Sequence, residues 1–344
     1  MTKQLRSPAE LAAAGLLDRS RLAVLDAVAA RYAVSVTADV AALIESAGGP
    51  LARQFVPNEA ELVTRPDERA DPIGDAVHSP LPGIVHRHRD RVLFKVVSQC
   101  PVYCRFCFRR ETVGPASDNA LSAEAMDAAF AYIAAHGEIW EVILTGGDPF
   151  ILSSRRMRLI TQRLAAIAHV KIVRWHTRVP VVDPARVDDE LAAALVAPGV
   201  TSWIALHANH PAEFTPAARR AVARLVDAGL PLVSQSVLLK GVNDDVETLE
   251  ALMRTFAENR IKPYYLHHPD KAPGTSHFRV DIARGRALMR ELRARVSGLA
   301  LPTYVLDIPG GHAKAPLLSD EVEESAPGQW RVRDQSGAWH DYSD

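Results

Sequence analysis

The stretch RVLFKVVSQCPVYCRFCFRR, residues 91–110, decides the fold of this 344-residue chain. Its first eight residues are mostly apolar and β-branched, which is typical of a buried strand. All three cysteines of the chain follow directly, in the pattern C-x3-C-x2-C at Cys100, Cys104 and Cys107. Chemically active groups in parallel α/β barrels collect on loops that follow the carboxyl ends of strands. We therefore expect a strand followed by a metal-binding loop.

The three cysteines favour an iron–sulfur cluster over zinc. Clusters are usually held by four thiolates, so three on one loop leave one iron of a four-iron cluster open to a small molecule. A structural zinc site needs four protein ligands. The chain has no fourth cysteine, and no histidine lies within ten residues of the motif on either side. Three buried apolar cysteines would leave the clustering unexplained, and we predict a [4Fe-4S] cluster and no zinc.

Composition excludes several classes of protein. The 40 basic and 41 acidic residues nearly cancel, which argues against electrostatic capture of nucleic acid or of an anionic membrane. The cysteines are too close together for a secreted disulfide framework. The N-terminal MTKQLRSPAELAAAG lacks the apolar core of a signal peptide, and no run approaches the ~18 apolar residues of a membrane helix. We expect a cytoplasmic protein.

Residues 1–80 form the first predicted region, made of helices and loops. LAAAGLL, SRLAVLDAVAARYA and TADVAALIESA carry apolar residues at helical spacing, with Thr37 as a candidate N-cap. The following DERADPIGDAVHSPLPGIVHRHRDR is rich in proline and charge. We expect it to form no regular element and to wrap the next domain.

Residues 81–300 alternate between strands and helices. Apolar, β-branched runs predict strands at 91–98, 141–146, 171–178, 202–208, 232–239 and 263–269, and helical patterns fall near 122–136, 154–168, 187–197, 212–228, 244–258 and 280–298. The later strands start every 30 or 31 residues, which is the size of a βα unit. We predict an α/β protein with a partial (β/α)6 parallel barrel; a flat doubly wound sheet is the alternative.

Residues 301–344 form the last predicted region, with one more strand at 302–308, a PGGHAK turn and a polar tail. Lys314 ends the turn and could reach the barrel mouth. A lysine near a basic phosphate site is what covalent attachment of pyridoxal phosphate requires, although a lysine after a Gly-Gly turn is usually a surface residue. HRHRDR, 86–91, is either such a phosphate site or a solvated turn.

Two further motifs lie close to predicted strand ends. TGGDP, 145–149, has two glycines that allow close approach of a ligand, or that simply make a tight turn. Arg109 and Arg110 follow the last cysteine, and paired cations beside a cluster are unfavourable without nearby acids unless an anion such as a carboxylate binds; solvated surface arginines are the alternative.

The cysteine motif after a strand resembles that of the radical S-adenosylmethionine enzymes. TGGDP then resembles the segment with which those enzymes bind the amino group of S-adenosylmethionine, through Gly146, Gly147 and Asp148; Asp148 stands where glutamate is commoner but is still a carboxylate. Together with SQSVLLKGVND, PYYLHHPDKAPGTSHFR and DIPGGHAKAP, these motifs resemble the lysine 2,3-aminomutase family from about residue 71 to 316.

The resemblance implies roles for individual residues. It places the lysine that carries pyridoxal 5′-phosphate at Lys314, and the substrate-carboxylate arginine at Arg109. Two aspartates that receive the ε-ammonium of lysine correspond to Asp270 and Asp307. The phosphate-binding groups correspond to Arg87, His88 (commonly tyrosine in the family), Arg91 and Gln235.

The paired aspartates favour lysine as substrate, because two carboxylates in one cavity repel each other unless a cation neutralises them. Relatives that act on glutamate carry a basic residue and an amide at these places. The implied reaction interconverts L-α-lysine and β-lysine by a 1,2-amino shift that a 5′-deoxyadenosyl radical starts. A radical S-adenosylmethionine enzyme without pyridoxal phosphate, an enzyme for another amino acid such as glutamate, and a metal-stabilised binding protein stay open as alternatives.

The resemblance also implies partners. An electron donor such as flavodoxin or ferredoxin would reduce the cluster, and a homo-oligomer is compatible with the family. This chain lacks the zinc-binding C-terminal cysteines of the longer members. Its length resembles the enzymes that make β-lysine for elongation factor P, whereas DIPGGHAK is closer to the longer enzymes, so the subgroup stays open.

Overall fold

A computed structural model describes residues 4–47, 49–114, 120–318, 322–326, 329–333 and 338–343. Most strands belong to one nine-stranded sheet, and the last three form a separate sheet. The strands are β1 Ile84–His88, β2 Arg91–Val97, β3 Glu141–Gly146, β4 Ile172–Thr177, β5 Thr201–His207, β6 Leu232–Val237, β7 Ile261–His267, β8 Thr303–Asp307, β9 Lys314–Pro316, β10 Val322–Ala326, β11 Gln329–Arg333 and β12 Trp339–Ser343.

The helices fall into an N-terminal group and a group that connects the strands. The first group is α1 Pro8–Ala13, α2 Leu22–Arg31, α3 Ala38–Ala47 and α4 Gly49–Phe55; the second is α5 Ala123–Ala135, α6 Ser154–Ala165, α7 Val179–Val182, α8 Asp189–Ala194, α9 Pro216–Asp227, α10 Val246–Glu258 and α11 Ile282–Arg295. The predicted helical N-terminal region is present, and the backbone N–H of Val40 donates to Thr37 Oγ1 at 3.2 Å, as a cap requires.

The sequence of the crossover helices fixes where they begin. Five of them start directly after a short polar side chain that accepts a backbone N–H of the first turn; these residues are Ser122, Ser153, Asp188, Thr215 and Asp245. Each helix thus returns the chain to the amino end of the next strand. Strands β2 to β8 consequently all run parallel.

The large sheet curls around a cavity of about 570 Å³. Its strand order follows the sequence from β1 to β9, and residues from all nine strands line that cavity. A flat sheet cannot surround one cavity with all of its strands. The predicted α/β class, the six βα units and the strand after them are therefore confirmed, and the flat alternative is wrong.

Two segments that we expected, from their hydrophobic pattern, to lack regular structure contain strands. Residues 84–88 lie within the segment expected to be irregular, yet they form β1, which pairs antiparallel with β2 across a tight turn. The prolines of that segment all precede this strand, so they do not prevent residues 84–88 from pairing with β2. The expected polar tail contains β10, β11 and β12, which pair antiparallel with one another. Their short, polar alternation gave little strand signal.

One apolar core joins the N-terminal helices to the crossover helices. It extends from Leu11 and Phe55 through Phe94 and Trp175 to Tyr304. The N-terminal helices therefore pack on the barrel and reach the cysteine loop. Within the described ranges, no helix has both the length and the apolar character that crossing a membrane would need.

Candidate functional site

The cavity gathers the residues to which the family resemblance gives a role. They come from loops and strands far apart in sequence, whereas Arg110, the second arginine after the last cysteine, does not line the cavity. They are Arg87, His88, Arg91, Cys100, Cys104, Cys107, Arg109, Gly146, Gly147, Asp148, Gln235, Asp270, Asp307 and Lys314. The individual roles stay predictions, but one shared cavity is what a common reaction would require.

The cysteine loop leaves β2 and is held by the N-terminal region. Backbone N–H groups of Tyr103 and Arg105 donate to the carbonyls of Ser35 and Gln54 at 3.1 and 2.8 Å. Burial raises the pKa of the Cys107 thiol to about 11. A bound metal deprotonates such thiols outright, and thiolates are the donors that iron–sulfur clusters take.

The donor chemistry fits a cluster. Three thiol side chains border one cavity, and burial also raises the pKa of Cys100 well above its ordinary value. Within the described part of the chain, no three His, Cys, Asp or Glu side chains are already gathered as a metal-ion site. The assignment therefore rests on the motif and on the cavity that it faces.

Both glycines of TGGDP lie against the start of the cysteine loop. Gly146 has φ +107°, and a Cβ on it would collide with the carbonyl oxygen of Val97. A Cβ on Gly147 would collide with the backbone of Gln99, whose carbonyl accepts the N–H of Asp148 at 2.9 Å. The glycines here serve close backbone packing between two loops, in addition to any contact with a ligand.

Asp148 joins the loops after β3 and β4. Its carboxylate accepts hydrogen bonds from Phe150 N at 3.0 Å, Thr177 Oγ1 at 2.8 Å and Arg178 N at 2.7 Å. Burial nevertheless raises the pKa of this carboxyl group. Three protein donors already occupy most of its acceptor capacity, so Asp148 holds the loops after β3 and β4 together beside the cavity.

Arg178 is a functional candidate that the sequence analysis missed. Its Nη1 donates to Cys104 Sγ at 2.9 Å, and its Nη2 donates to Gln54 Oε1 at 2.6 Å and to Glu213 Oε2 at 2.7 Å. Burial lowers the pKa of Arg178, but the charges of Cys104 and Glu213 outweigh this effect and raise it. Arg178 therefore places a fixed positive charge against a predicted cluster ligand.

Sequence neighbours alone could not show which acids face the arginines after Cys107. We expected these cations to lack nearby acids, and that premise is wrong. Arg110 pairs with buried Glu61, which also binds Arg105 at 2.6 Å. Arg109 pairs with Asp75 at 2.9 Å. Both acids come from the N-terminal segment, about 35 to 50 residues away, where spacing gives no sign of contact.

The Lys314 turn brings the lysine directly to the predicted ammonium site. Strand β9 pairs with β8, with Lys314 opposite Asp307, and Lys314 Nζ donates to the Asp307 carboxylate. His267 Nδ1 lies 3.4 Å from the same oxygen. Burial alone would raise the pKa of Asp307, but His267 and Lys314 lower it well below its ordinary value. Lys314 thus lies in a strand and not on a flexible arm.

Asp270 lines the same cavity as Asp307, but its pKa is shifted in the opposite direction. Burial and the neighbouring Asp307 raise the pKa of Asp270 to about 7. The expected repulsion between the two carboxylates is therefore present, and Lys314 supplies the compensating cation to Asp307. A further cation that enters the cavity would find Asp270 ready to ionise.

The predicted phosphate-binding residues also line the cavity. Burial, Arg91 and Arg87 lower the pKa of His88. Within the described residues, Nε of Arg87 is buried without a hydrogen-bond partner. Arg91 makes an exposed pair with Asp90 at 2.7 Å. An unpaired donor in the cavity that Lys314 also lines fits an anionic group such as the phosphate of pyridoxal phosphate.

Two histidines that border the cavity were also missed. His176 and His207 line the cavity from β4 and β5, and burial lowers the pKa of each well below its ordinary value. Both are therefore neutral near pH 7, and in the described structure their Nε2 atoms have no partner. Each stands at the carboxyl end of a predicted strand, in RWHTR or ALHAN, and that position was the available signal.

Comparisons with known proteins agree with this geometry. The Radical SAM superfamily model matches residues 94–253. The L-lysine 2,3-aminomutase of Fusobacterium nucleatum is 37% identical over 295 residues, which cover 86% of this chain and 69% of that protein. That of Acetoanaerobium sticklandii is 38% identical over 279 residues, 81% and 67%. That of Escherichia coli K12 is 37% identical over 268 residues, 78% of each chain. The chain therefore belongs to the lysine 2,3-aminomutase family within the radical S-adenosylmethionine superfamily.

Proposed function

We propose that this chain is an L-lysine 2,3-aminomutase that interconverts L-α-lysine and β-lysine. One observation supports the proposal: Arg109, Asp270, Asp307 and Lys314 line one cavity, and Lys314 binds Asp307. A substrate with a carboxylate at one end and an ammonium at the other matches that distribution of charge.

The bound groups supply the bond-breaking chemistry: S-adenosylmethionine on the reduced cluster gives the radical, and pyridoxal phosphate carries the migrating nitrogen. The chain holds them. Cys100, Cys104 and Cys107 would ligate the cluster, and Lys314 would carry the pyridoxal.

Arg87, His88, Arg91 and Gln235, which line the same cavity, would hold the phosphate. Arg87 has an unused buried donor within the described structure, which an anion would satisfy.

The substrate would be held by its two ends. Arg109 would bind the carboxylate, and the ε-ammonium would lie between Asp270 and Asp307. Lys314 provides that positive charge before it reacts, because its ammonium binds Asp307. With Lys314 holding the pyridoxal, Asp307 would be free to bind the ammonium of the substrate.

The walls would protect radicals from solvent. The cavity is lined by buried Val85, Ile143 and Phe278 as well as by polar groups. Excluding water from such a site suppresses side reactions. The cluster would receive its electron from a one-electron donor protein such as flavodoxin or ferredoxin.

Substrate preference tests the proposal. We expect the reconstituted protein to convert L-lysine to β-lysine and to leave L-glutamate unchanged. In the double variant Asp270→Lys with Asp307→Asn, turnover of lysine should fall at least about a hundredfold, because truncating a buried charge pair costs about 3–5 kcal/mol. Undiminished use of lysine by the variant, or preferred use of glutamate by the natural chain, would contradict the assignment.

A further inference from the structure

The segment before β1 contributes a carboxylate, Asp75, that contacts two of the site arginines at once. Arg87 Nη2 donates to Asp75 Oδ1 at 2.9 Å. Arg109 donates to Asp75 Oδ2 through Nε at 3.1 Å and through Nη2 at 2.9 Å. Both oxygens of one buried side chain thus bridge the residues assigned to the phosphate and to the substrate carboxylate.

The position of Asp75 is itself fixed by the chain. Asp71 accepts the backbone N–H of Asp75 and of Ala76, each at 2.8 Å. The preceding Gly74 has φ +68°, and a Cβ on it would meet the carbonyl oxygen of Gly310 at 2.5 Å. The N–H of Gly310 in turn donates to Pro72 O at 3.1 Å. The segment is therefore anchored on the turn that leads to Lys314.

Asp75 is ionised at neutral pH. Burial raises its pKa, but the charges of Arg109, Lys95 and Arg87 outweigh that effect and hold the pKa below its ordinary value. A buried carboxylate with two guanidinium partners orients them without mobile solvent.

The contact with Asp75 determines which edge of the Arg109 guanidinium is available to a ligand. A guanidinium has five N–H groups in one plane, and a carboxylate can bind either its Nε–Nη2 edge or its Nη1–Nη2 end. Asp75 occupies the Nε–Nη2 edge. Only the Nη1–Nη2 end is left for the carboxylate of a substrate.

We propose that Asp75 is a positioning residue that orients Arg87 toward the phosphate of the cofactor and turns the end of Arg109 toward the carboxylate of the substrate. The substrate arm of this proposal rests on the proposed function, and the phosphate arm does not. Only a carboxylate suits the position. An amide has one acceptor oxygen, so Asp75→Asn would set an NH₂ group against one of the two guanidinium groups.

Pairs of ligands that differ by one charge test the proposal. The first pair is pyridoxine 5′-phosphate against pyridoxine, whose dissociation constants report on Arg87 in the chain without pyridoxal phosphate. The second pair is L-lysine against L-lysinamide, titrated by absorbance on the pyridoxal-loaded protein without S-adenosylmethionine; it reports on Arg109. In each pair, we divide the dissociation constant of the ligand that lacks the anionic group by that of the ligand that has it. This ratio measures recognition of the anionic group alone, and it falls when that recognition is lost.

We expect Asp75→Asn to lower at least one of these ratios about tenfold, the effect of one misplaced charge-assisted hydrogen bond. Asp75→Glu keeps both acceptors and should keep both ratios within about threefold. Asp127→Asn on α5, which breaks an exposed pair between Asp127 and Arg163, is the matched control and should change neither.

A purely structural role would weaken charged and uncharged ligands alike. If neither ratio falls in Asp75→Asn, or if the ratios rise because a competing negative charge has gone, the proposal is overturned. Asp75→Ser carries the same expectation should the asparagine variant fail to fold. If the phosphate ratio falls while lysine is never bound, Asp75 keeps its role and the proposed substrate is wrong.

Discussion

At the scale of single residues, the two site carboxylates differ although they share one cavity. Asp307 is ionised against Lys314 and His267, whereas Asp270 has a pKa raised to about 7 by burial and by Asp307. Environment, not residue type, produces this difference. Asp270 is therefore the group whose charge can follow the pH of the assay and the arrival of a cation.

Binding of lysine should consequently depend on pH. The pKa of Asp270 is about 7. At a pH below this value, Asp270 is neutral and attracts an ammonium weakly; at a higher pH, the ionised carboxylate attracts the ammonium strongly. We expect the dissociation constant of L-lysine to fall about tenfold between about pH 6 and pH 8. Titration of the pyridoxal-loaded protein measures it. The Asp270→Asn variant should bind lysine weakly at every pH, and a step that persists in this variant would belong to another group.

Lys314 offers a second test at this scale. In Lys314→Arg the charge beside Asp307 is kept, but a guanidinium does not form the covalent link to pyridoxal. We expect loss of the visible absorption band of bound pyridoxal phosphate and a fall in turnover of at least about a thousandfold. The matched control is Lys271→Arg, since Lys271 makes an exposed pair with Asp67. An intact band in Lys314→Arg would assign attachment to a different lysine.

At the scale of elements, the N-terminal region supports the cysteine loop through Glu61. This side chain is fully buried and binds Arg105 and Arg110, which lie on either side of Cys107. Arg105 also donates to Ala33 O at 2.7 Å. A loop that must bind a cluster is thus attached by ion pairs to a separate part of the chain.

Removing this charge should destabilise the protein. Glu61→Gln leaves two guanidinium groups buried without a counter-ion, so we expect the free energy of unfolding to fall by about 3–5 kcal/mol. Glu59→Gln, on the same short helix, breaks only an exposed pair with Arg21 at 3.8 Å and should cost less than about 0.5 kcal/mol. Denaturant unfolding of both variants measures the difference. Equal losses would show that the buried network is unimportant.

The glycine turn after β3 gives another test of an element. In Gly147→Ala the new methyl group collides with the backbone of Gln99, next to Cys100. We expect reduced iron incorporation and at least about tenfold lower turnover, because backbone has to move. Gly137→Ala is the matched control, since its Cβ would meet nothing within 4 Å. Normal iron content in Gly147→Ala would show that this close packing is not required for cluster assembly.

Local patterns in the sequence predict most elements of the fold but not the contacts between distant segments. Strands, crossovers and the cysteine loop were predictable because their periodicity and spacing are local. The pairs formed by Asp75 with Arg109 and by Glu61 with Arg110 were not, because each joins residues from different regions of the chain. Strand β1 was missed since only five residues, IVHRH, follow a proline-rich segment. Polar side chains near strand ends, His176 included, come to line one cavity only because the sheet curls.

At the scale of the whole molecule, the two ends of the chain differ in how they join the barrel. The N-terminal helices share the main core, from Leu11 through Phe55. In the described structure, β10, β11 and β12 pair only with each other. Among the described residues, the last ones packed against the main core are Leu317 and Leu318.

Truncation should reveal this difference. Removing residues 319–344 should leave the unfolding midpoint nearly unchanged and turnover within about twofold, because little of the core is lost. Removing residues 1–62 should yield aggregated protein, because it exposes the core and unpairs Arg105 and Arg110. Gel filtration and thermal unfolding measure both. A stable, active product of the N-terminal deletion would contradict this view of the core.

Conversion of lysine is best tested by an anaerobic assay with pyridoxal phosphate, S-adenosylmethionine, dithionite and L-lysine deuterated at C3. We expect β-lysine to form and deuterium to enter S-adenosylmethionine, because the radical carrier takes the C3 hydrogen and returns it. If S-adenosylmethionine is cleaved while lysine is left unchanged, the cluster assignment stands and the assignment of Arg109, Asp270 and Asp307 to lysine fails.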